Sequence, residues 1–226
     1  MALAMTVSAQ TKTPKQNLSE VEITSEPSHH LAFQNAYVRA FQVEVGPHAS
    51  TLMHVHRHDY IFVTLGPSEV SNEVKGKAPV TLKLQDGETN FTSAEFAHVA
   101  KNLADTSFRN VTIELLKHPA ATAKWDEDRS LHILHGGTEQ ILFVKDGVRV
   151  SEIELQTAGV LPKHHHSGPQ LVVAVSDLTF RNDEVGKAAS NLEMKSGDVR
   201  WEAAGITHTV TNVGKGTAKL VILEFQ

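Results

Sequence analysis

The stretch GETNFTSAEFAHVAKN, residues 87–102, recurs 110 residues later as GDVRWEAAGITHTVTN, residues 197–212. Gly87 meets Gly197, His98 meets His208 and Asn102 meets Asn212, without a gap. The same offset holds outward from this pair. YVRAFQVEV (37–45) lies over GVRVSEIEL (147–155), and VTIEL (111–115) over VILEF (221–225). His54 falls on His164 and His56 on His166. Glycine, polar and histidine positions coincide as well as apolar ones, which marks two copies of one structural unit.

The repeat divides the chain into an N-terminal extension at 1–28, a first unit at 29–120, a connector at 121–137 and a second unit at 138–226. The connector carries a charge cluster, is preceded by Pro119 and ends on Gly136-Gly137; within it SLHILHGG suits a short crossing strand. Each unit reads as β. VRAFQVEV and VRVSEIEL are rich in β-branched residues and alternate. YIFVTLG, QLVVAVSD, RNVTIELL and AKLVILEF are short apolar runs bounded by turn residues, as in strands buried in a sandwich or barrel. No segment of helical length keeps a 3.6-residue period. The expected class is all-β, two barrels in tandem.

Composition narrows the chemistry. The 226 residues are 40 % apolar and 21 % charged, with a formal charge of −5. No basic block suggests a nucleic-acid or anionic-membrane partner, and no apolar run reaches the roughly 18–20 residues of a membrane span. The start, MALAMTVSAQ (1–10), resembles the end of a secretory signal without its basic region, so cytoplasmic and periplasmic or secreted locations both stay open. There is no cysteine, which excludes disulfides, thiolate metal sites and cysteine nucleophiles. Histidine, with 14 copies, is the outlier.

Those histidines sort themselves by the repeat. LPKHHHSGPQLVV (161–173) holds three in a row; in an extended chain His164 and His166 share a face and His165 points away. LMHVHRHDYIFV (52–63) offers His54, His56 and His58, but His58 falls on Gly168. The shared pattern is His-x-His with a third histidine 42 residues after the second. His54, His56, His98 and His164, His166, His208 are therefore the candidate metal ligands. Two imidazoles two residues apart on a strand, closed by one from a neighbouring strand, can hold a divalent ion and leave positions open for water or substrate.

Arg39 and Arg149 recur in the alternating strands, either solvated or reaching a barrel mouth. Asn102 and Asn212 suit strand-end or turn hydrogen bonds. Trp201 is expected in a core, with a cavity-lining place as the alternative; Trp125 has no counterpart. His29 and His30 fall on Glu139 and Gln140 and read as polar surface; His132 and His135 carry no assignment.

These motifs resemble those of the cupin superfamily. The family's first motif is a glycine, His-x-His, an acidic residue three or four positions on, and a glycine. Here it reads Gly46…His54-Val-His56-x3-Tyr60…Gly66, with seven residues after the first glycine where five are usual, and Gly159-x4-His164-x-His166-x3-Gln170. The second motif, Gly-x5-Pro-x-Gly-x2-His-x3-Asn, reads Gly87-x5-Ser93-x-Glu95-x2-His98-x3-Asn102 and Gly197-x5-Ala203-x-Gly205-x2-His208-x3-Asn212. The resemblance implies a bicupin, two double-stranded β-helix (jelly-roll) barrels, each with a divalent transition metal: iron first, manganese, zinc or nickel as alternatives. Where the family places a glutamate ligand, this chain has Tyr60 and Gln170, the candidate catalytic residues: Tyr60 as a hydrogen-bond donor or simply an aromatic core residue, Gln170 as an orienting amide or a ligand through its amide oxygen. Asp59 faces away from Tyr60 in a regular strand. A site of three neutral histidines leaves the ion its full charge, which favours an anionic or chelating guest. Family members with such sites include ferrous dioxygenases acting on diketones or hydroxylated aromatic acids. The implied function is a dioxygenase-like enzyme on a small oxygenated substrate; a non-redox lyase or isomerase and a non-catalytic binding protein are the alternatives. A homodimer is expected on frequency alone.

Overall fold

The computed structural model describes residues 19–117 and 129–226, so the signal-like segment at 1–10 and Trp125 lie outside it. Among the described residues every regular element is a strand except one 3-10 turn, Ile23–Ser25. No helix among them is long and apolar enough to cross a membrane. The all-β, two-barrel expectation holds.

The first barrel is built from two five-stranded sheets. One runs β1 (Val21–Glu22), β4 (His54–His56), β9 (Phe96–Asn102), β6 (Ser68–Val74), β7 (Val80–Leu84). The other runs β2 (His29–Gln34), β3 (Val38–Val45), β10 (Phe108–Leu115), β5 (Tyr60–Leu65), β8 (Thr89–Thr92). In the second barrel these two sheets fuse into one of eight strands. Its order is β15 (Ser190–Met194), β14 (Leu178–Glu184), β17 (Thr207–Asn212), β12 (Val148–His165), β18 (Ala218–Phe225), β13 (Gln170–Ala174), β16 (Val199–Glu202), with β11 (Leu131–Lys145) beside β12. The fusion has a local cause. β12 is 18 residues long, pairs with β18 along its first half and with β17 at its far end, and shifts register between Leu161 and His164. In the first barrel the matching segment is interrupted between Val45 and His54.

Two sequence boundaries move. β11 starts at Leu131 and pairs back onto β12, so SLHILHGG belongs to the second barrel's own sheet and does not cross to the first. Residues 21–28, set apart as extension, supply β1, which pairs in parallel with β4, and the buried Ile23 and Glu26.

The continuous apolar runs are explained by sheets covered on both faces. Along β5, Ile61, Val63 and Leu65 face the other barrel, while Tyr60 and Phe62 line the first barrel's cavity. β10 alternates likewise: Val111, Ile113 and Leu115 against the other barrel, Asn110 and Thr112 toward the cavity. Residues from both barrels thus make one shared core, to which Leu171, Val173, Val221, Leu223 and Phe225 contribute from the second. Each barrel keeps its own interior cluster, around Phe41 and Val43 in the first and Ile153 and Leu155 in the second. Trp201 packs against Phe33, Tyr37 and Phe225 at the edge of the shared core, which settles its two readings in favour of the core.

Reciprocal contacts lock the barrels. Arg109 donates to the Ser196 carbonyl at 3.0 Å and Lys219 to the Asp86 carbonyl at 3.0 Å, the same contact made in both directions across the repeat. Each lands beside the turn glycine of the other barrel. Gly87 and Gly197 have φ of +79° and +95°, and a Cβ on Gly87 would lie 2.4 Å from the Lys219 side chain. The positive φ is what calls for glycine at both positions, since the Lys219 tip could move aside.

Candidate metal centres

The fold places the six histidines as the repeat predicts. His54 on β4 sits directly opposite His98 on β9, and His164 on β12 opposite His208 on β17. His56 and His166 complete two groups whose ligand nitrogens lie within 4.8 Å of one another. His56 Nε2 is 3.1 Å from His98 Nε2; His208 Nε2 is 2.9 Å from His166 Nε2 and 3.0 Å from His164 Nε2. Nitrogens at about 2.1 Å from one ion are about 3.0 Å apart if they subtend a right angle and about 3.4 Å apart in a tetrahedron. The observed values are of the size expected for nitrogens that share one ion.

Outer partners determine which nitrogen is bare. His54 Nδ1 donates to the Leu52 carbonyl and His164 Nδ1 to the Pro162 carbonyl, at 2.9 and 2.8 Å. His98 Nδ1 donates to Asn72 Oδ1 and His208 Nδ1 to Asn182 Oδ1, both at 2.7 Å. A carbonyl oxygen only accepts, so the proton is on Nδ1 and the Nε2 lone pair is free. Lone pairs converging at about 3 Å repel unless a cation lies between them. His54 Nε2 is buried with no hydrogen-bond partner.

The site keeps these rings neutral. Burial, which disfavours the imidazolium, pushes His54 down to about 4 and His98 to about 3. Burial and the neighbouring imidazoles push His56 down to about 2 and His166 to about 4. His208 is lowered by burial and by His164. At neutral pH all five present lone pairs. Both groups have the donor set and spacing to hold a divalent metal.

Tyr60 is buried and stacks on His56 at 4.2 Å; Phe96 covers the other approach at 5.3 Å. Burial pushes its phenol up to about 12, against a hydrogen bond with Thr92. It is a neutral O–H group at the cavity wall. Gln170 is also buried; its Nε2 lies 3.5 Å from His166 Nε2 and donates to Glu202 Oε2 at 2.7 Å, while its Oε1 has no partner. Asp59 accepts from the Ala94 amide and is not part of a histidine group. His165 is exposed and bonds Thr207.

Four features were missed by sequence reasoning or left without a role. Asn72 and Asn182 fall on one another in the repeat, inside SNEVKGK and RNDEVGK, and that match was the available signal. Glu202 lines the second cavity opposite Gln170. The recurring Arg39 and Arg149 pair with Glu114 and Glu224 on the adjacent strand. The reading of His29 as polar surface is corrected. Its side chain is 4 % exposed, and its ring lies 4.8 Å from that of His54. His30 is exposed as expected.

No family profile matches the chain, and no curated protein matches it. Solved structures do. An oxalate decarboxylase from Bacillus subtilis matches over 85 % of this chain and 70 % of its own, at 10 % identity and a TM-score of 0.62. AerE from Microcystis aeruginosa matches over 89 % and 98 %, at 12 % identity and 0.59. A cupin 2 conserved barrel domain protein from Leptotrichia buccalis matches over 88 % of both chains, at 11 % identity and 0.53. At such identities the likeness concerns fold alone, and the fold is the all-β cupin fold.

Proposed function

We propose that this chain is a bicupin enzyme using a divalent metal, iron first, in a dioxygenase-like reaction on a small chelating, oxygenated molecule such as a diketone or catechol. The observation that carries the reading is the donor set: three imidazoles and no acidic residue within either group. The bound ion would supply Lewis acidity and, as ferrous iron, a place for dioxygen beside the substrate. The protein's own part is to shape and dry the remaining face. Ile153, Leu161, Val172 and Ile222 make the second cavity largely apolar, which strengthens polar contacts inside it. Tyr60, still protonated, donates to whatever occupies the open face of the first site. Gln170, whose oxygen is buried and unsatisfied, orients the guest of the second. Substituting Tyr60 by Phe should preserve metal content and lower turnover; unchanged turnover removes Tyr60 from the reaction.

One observation favours a second reading. Glu202 brings a carboxylate into the second cavity, bonded to Gln170 and 3.3 Å from Arg200. A lyase or isomerase using manganese or zinc would need such a proton-handling group. The test is metal content of protein purified without added metal, beside His54→Ala and His164→Ala, followed by turnover of diketones and catechols with and without oxygen. Two metal equivalents falling to one in each variant, with oxygen-dependent turnover, supports the proposal. Turnover without oxygen selects the second reading, and failure to take up any metal overturns both.

A further inference from the structure

The first cavity contains a buried pair that the three-histidine reading does not use. Glu26 and His29 follow the 3-10 turn, with side chains 2 % and 4 % exposed. His29 Nδ1 lies 2.6 Å from Glu26 Oε2. The same carboxylate accepts from the Ser28 amide at 2.8 Å and, through Oε1, from the Leu52 amide at 3.1 Å. Burial works against its charge, yet the hydrogen bonds from His29, Leu52 and Ser28 outweigh it and hold the carboxyl below its ordinary value. An ionised carboxylate only accepts, so Nδ1 of His29 donates to it and Nε2 is the ring nitrogen left over. The His29 side chain makes no other hydrogen bond among the described residues, and it lines the cavity that holds His54, His56, His98 and Tyr60. It is not within the 4.8 Å group that defines the ligands. The ring stands 4.8 Å from that of His54, beside the histidine group.

Its counterpart argues that this is a property of one barrel. His29 is register partner of Val43; the matching partner of Ile153 in the second barrel is Glu139. Glu139 is bonded at 3.2 Å by the exposed His132 and lines the groove that reaches His164 and His166. One cavity therefore offers an imidazole held in the interior by a buried carboxylate, the other a carboxylate near solvent.

We infer that His29, aimed by Glu26, contacts the guest of the first metal site and accepts a hydrogen bond from a hydroxyl group that the guest keeps when bound. The inference rests on the metal-site reading above and adds a substrate class to it. The first site takes hydroxylated chelators in preference to their O-methylated analogues, and Glu26 is a positioning residue. The loss of one such contact corresponds to about a threefold to tenfold change in affinity.

The test uses the full chain carrying His164→Ala, loaded with cobalt(II) so that the first barrel alone is occupied. Two chromogenic probes, 4-nitrocatechol and its O-methyl ether 4-nitroguaiacol, are titrated against it, and the ratio of their affinities is the readout. His29→Phe, which fills the space without an acceptor, should keep one cobalt per chain and shrink the ratio about threefold to tenfold. His29→Gln, which returns an oxygen near the Nε2 position, should recover part of it. An unchanged ratio with cobalt bound overturns the inference and leaves the metal-site reading intact. Loss of cobalt in both His29 variants also overturns it, because His29 would then serve the ligands and not the guest. Failure of the His164→Ala chain to bind cobalt overturns the inference together with the metal-site reading it rests on.

Discussion

At the scale of residues, the histidines depend on partners that hold their protons. Asn182 gives His208 its tautomer, and Asn72 does so for His98. Asn182→Ala should lower metal affinity of the second site about 10- to 100-fold while leaving the first unchanged. Competition with a chromogenic chelator reads this directly; equal affinities at both sites would show that the asparagine is dispensable. Depressed imidazole pKa values have a second consequence. Folding lowers His54, His56, His98, His166 and His208 below their ordinary value of 6.5. Between pH 6.5 and about 4 the unfolded chain therefore binds more protons than the folded one. Stability of the metal-free protein is complete above pH 6.5 and falls with acid, by at most about 1.4 kcal/mol per pH unit for each such group. Urea unfolding of chelator-treated protein at pH 7.5, 6.5, 5.5 and 4.5 measures the slope, and a flat profile contradicts the assignment. The six histidines of the two groups were legible because their spacing repeats in one strand and across two. His29 was not, since its repeat partner is Glu139 and its burial depends on the turn at Ile23–Ser25 and on Glu26, both outside any repeat.

At the scale of elements, the asparagines that close each second motif tie strand ends together. Asn102 Nδ2 donates to the carbonyls of Val45, Gly46 and Thr106, and Asn212 Nδ2 to those of Leu155, Gln156 and Gly216. The sequence pointed to this role, and the structure shows it in both barrels. Asn102 is fully buried, so Asn102→Ala strands acceptors that water does not reach. It should cost about 2–3 kcal/mol, read as a lower urea midpoint; an unshifted midpoint would show that the carbonyls find other donors. Strand identity was readable from apolar runs, while sheet connectivity was not. Periodicity is blind to whether β12 continues into the His-x-His segment, because Gln156 to Pro162 carry little of the alternation that marks the rest. The same blindness put SLHILHGG in a connector. Leu131 and Ile133 are exposed, so no core pattern tied that expected strand to the second barrel's sheet.

At the scale of the whole molecule, the repeat is also the interface. Val38, Ala40, Ile61, Val63, Leu65, Val111, Ile113 and Leu115 of the first barrel meet Val148, Val150, Leu171, Val173, Val175, Val221, Leu223 and Phe225 of the second, each set at matching positions. All but Val175, which directly follows β13, are alternate residues on strands whose other face lines a barrel interior. Unfolding either barrel alone would expose the other's half of this core to water, at about 25 cal/mol per Å² of apolar surface. The two barrels should therefore unfold as one unit despite being two copies. Calorimetry of the metal-free protein should give a single transition whose calorimetric and van't Hoff enthalpies agree. Ile113→Ala, which removes buried volume from the shared core, should destabilise by about 2–5 kcal/mol and lower that single transition as a whole. A split into two transitions, with only one displaced by the substitution, would show that the shared core is a docking surface between independently stable barrels. Cooperative unfolding would also couple the metal sites through stability: loading one barrel in the His164→Ala chain would then raise the melting temperature of both.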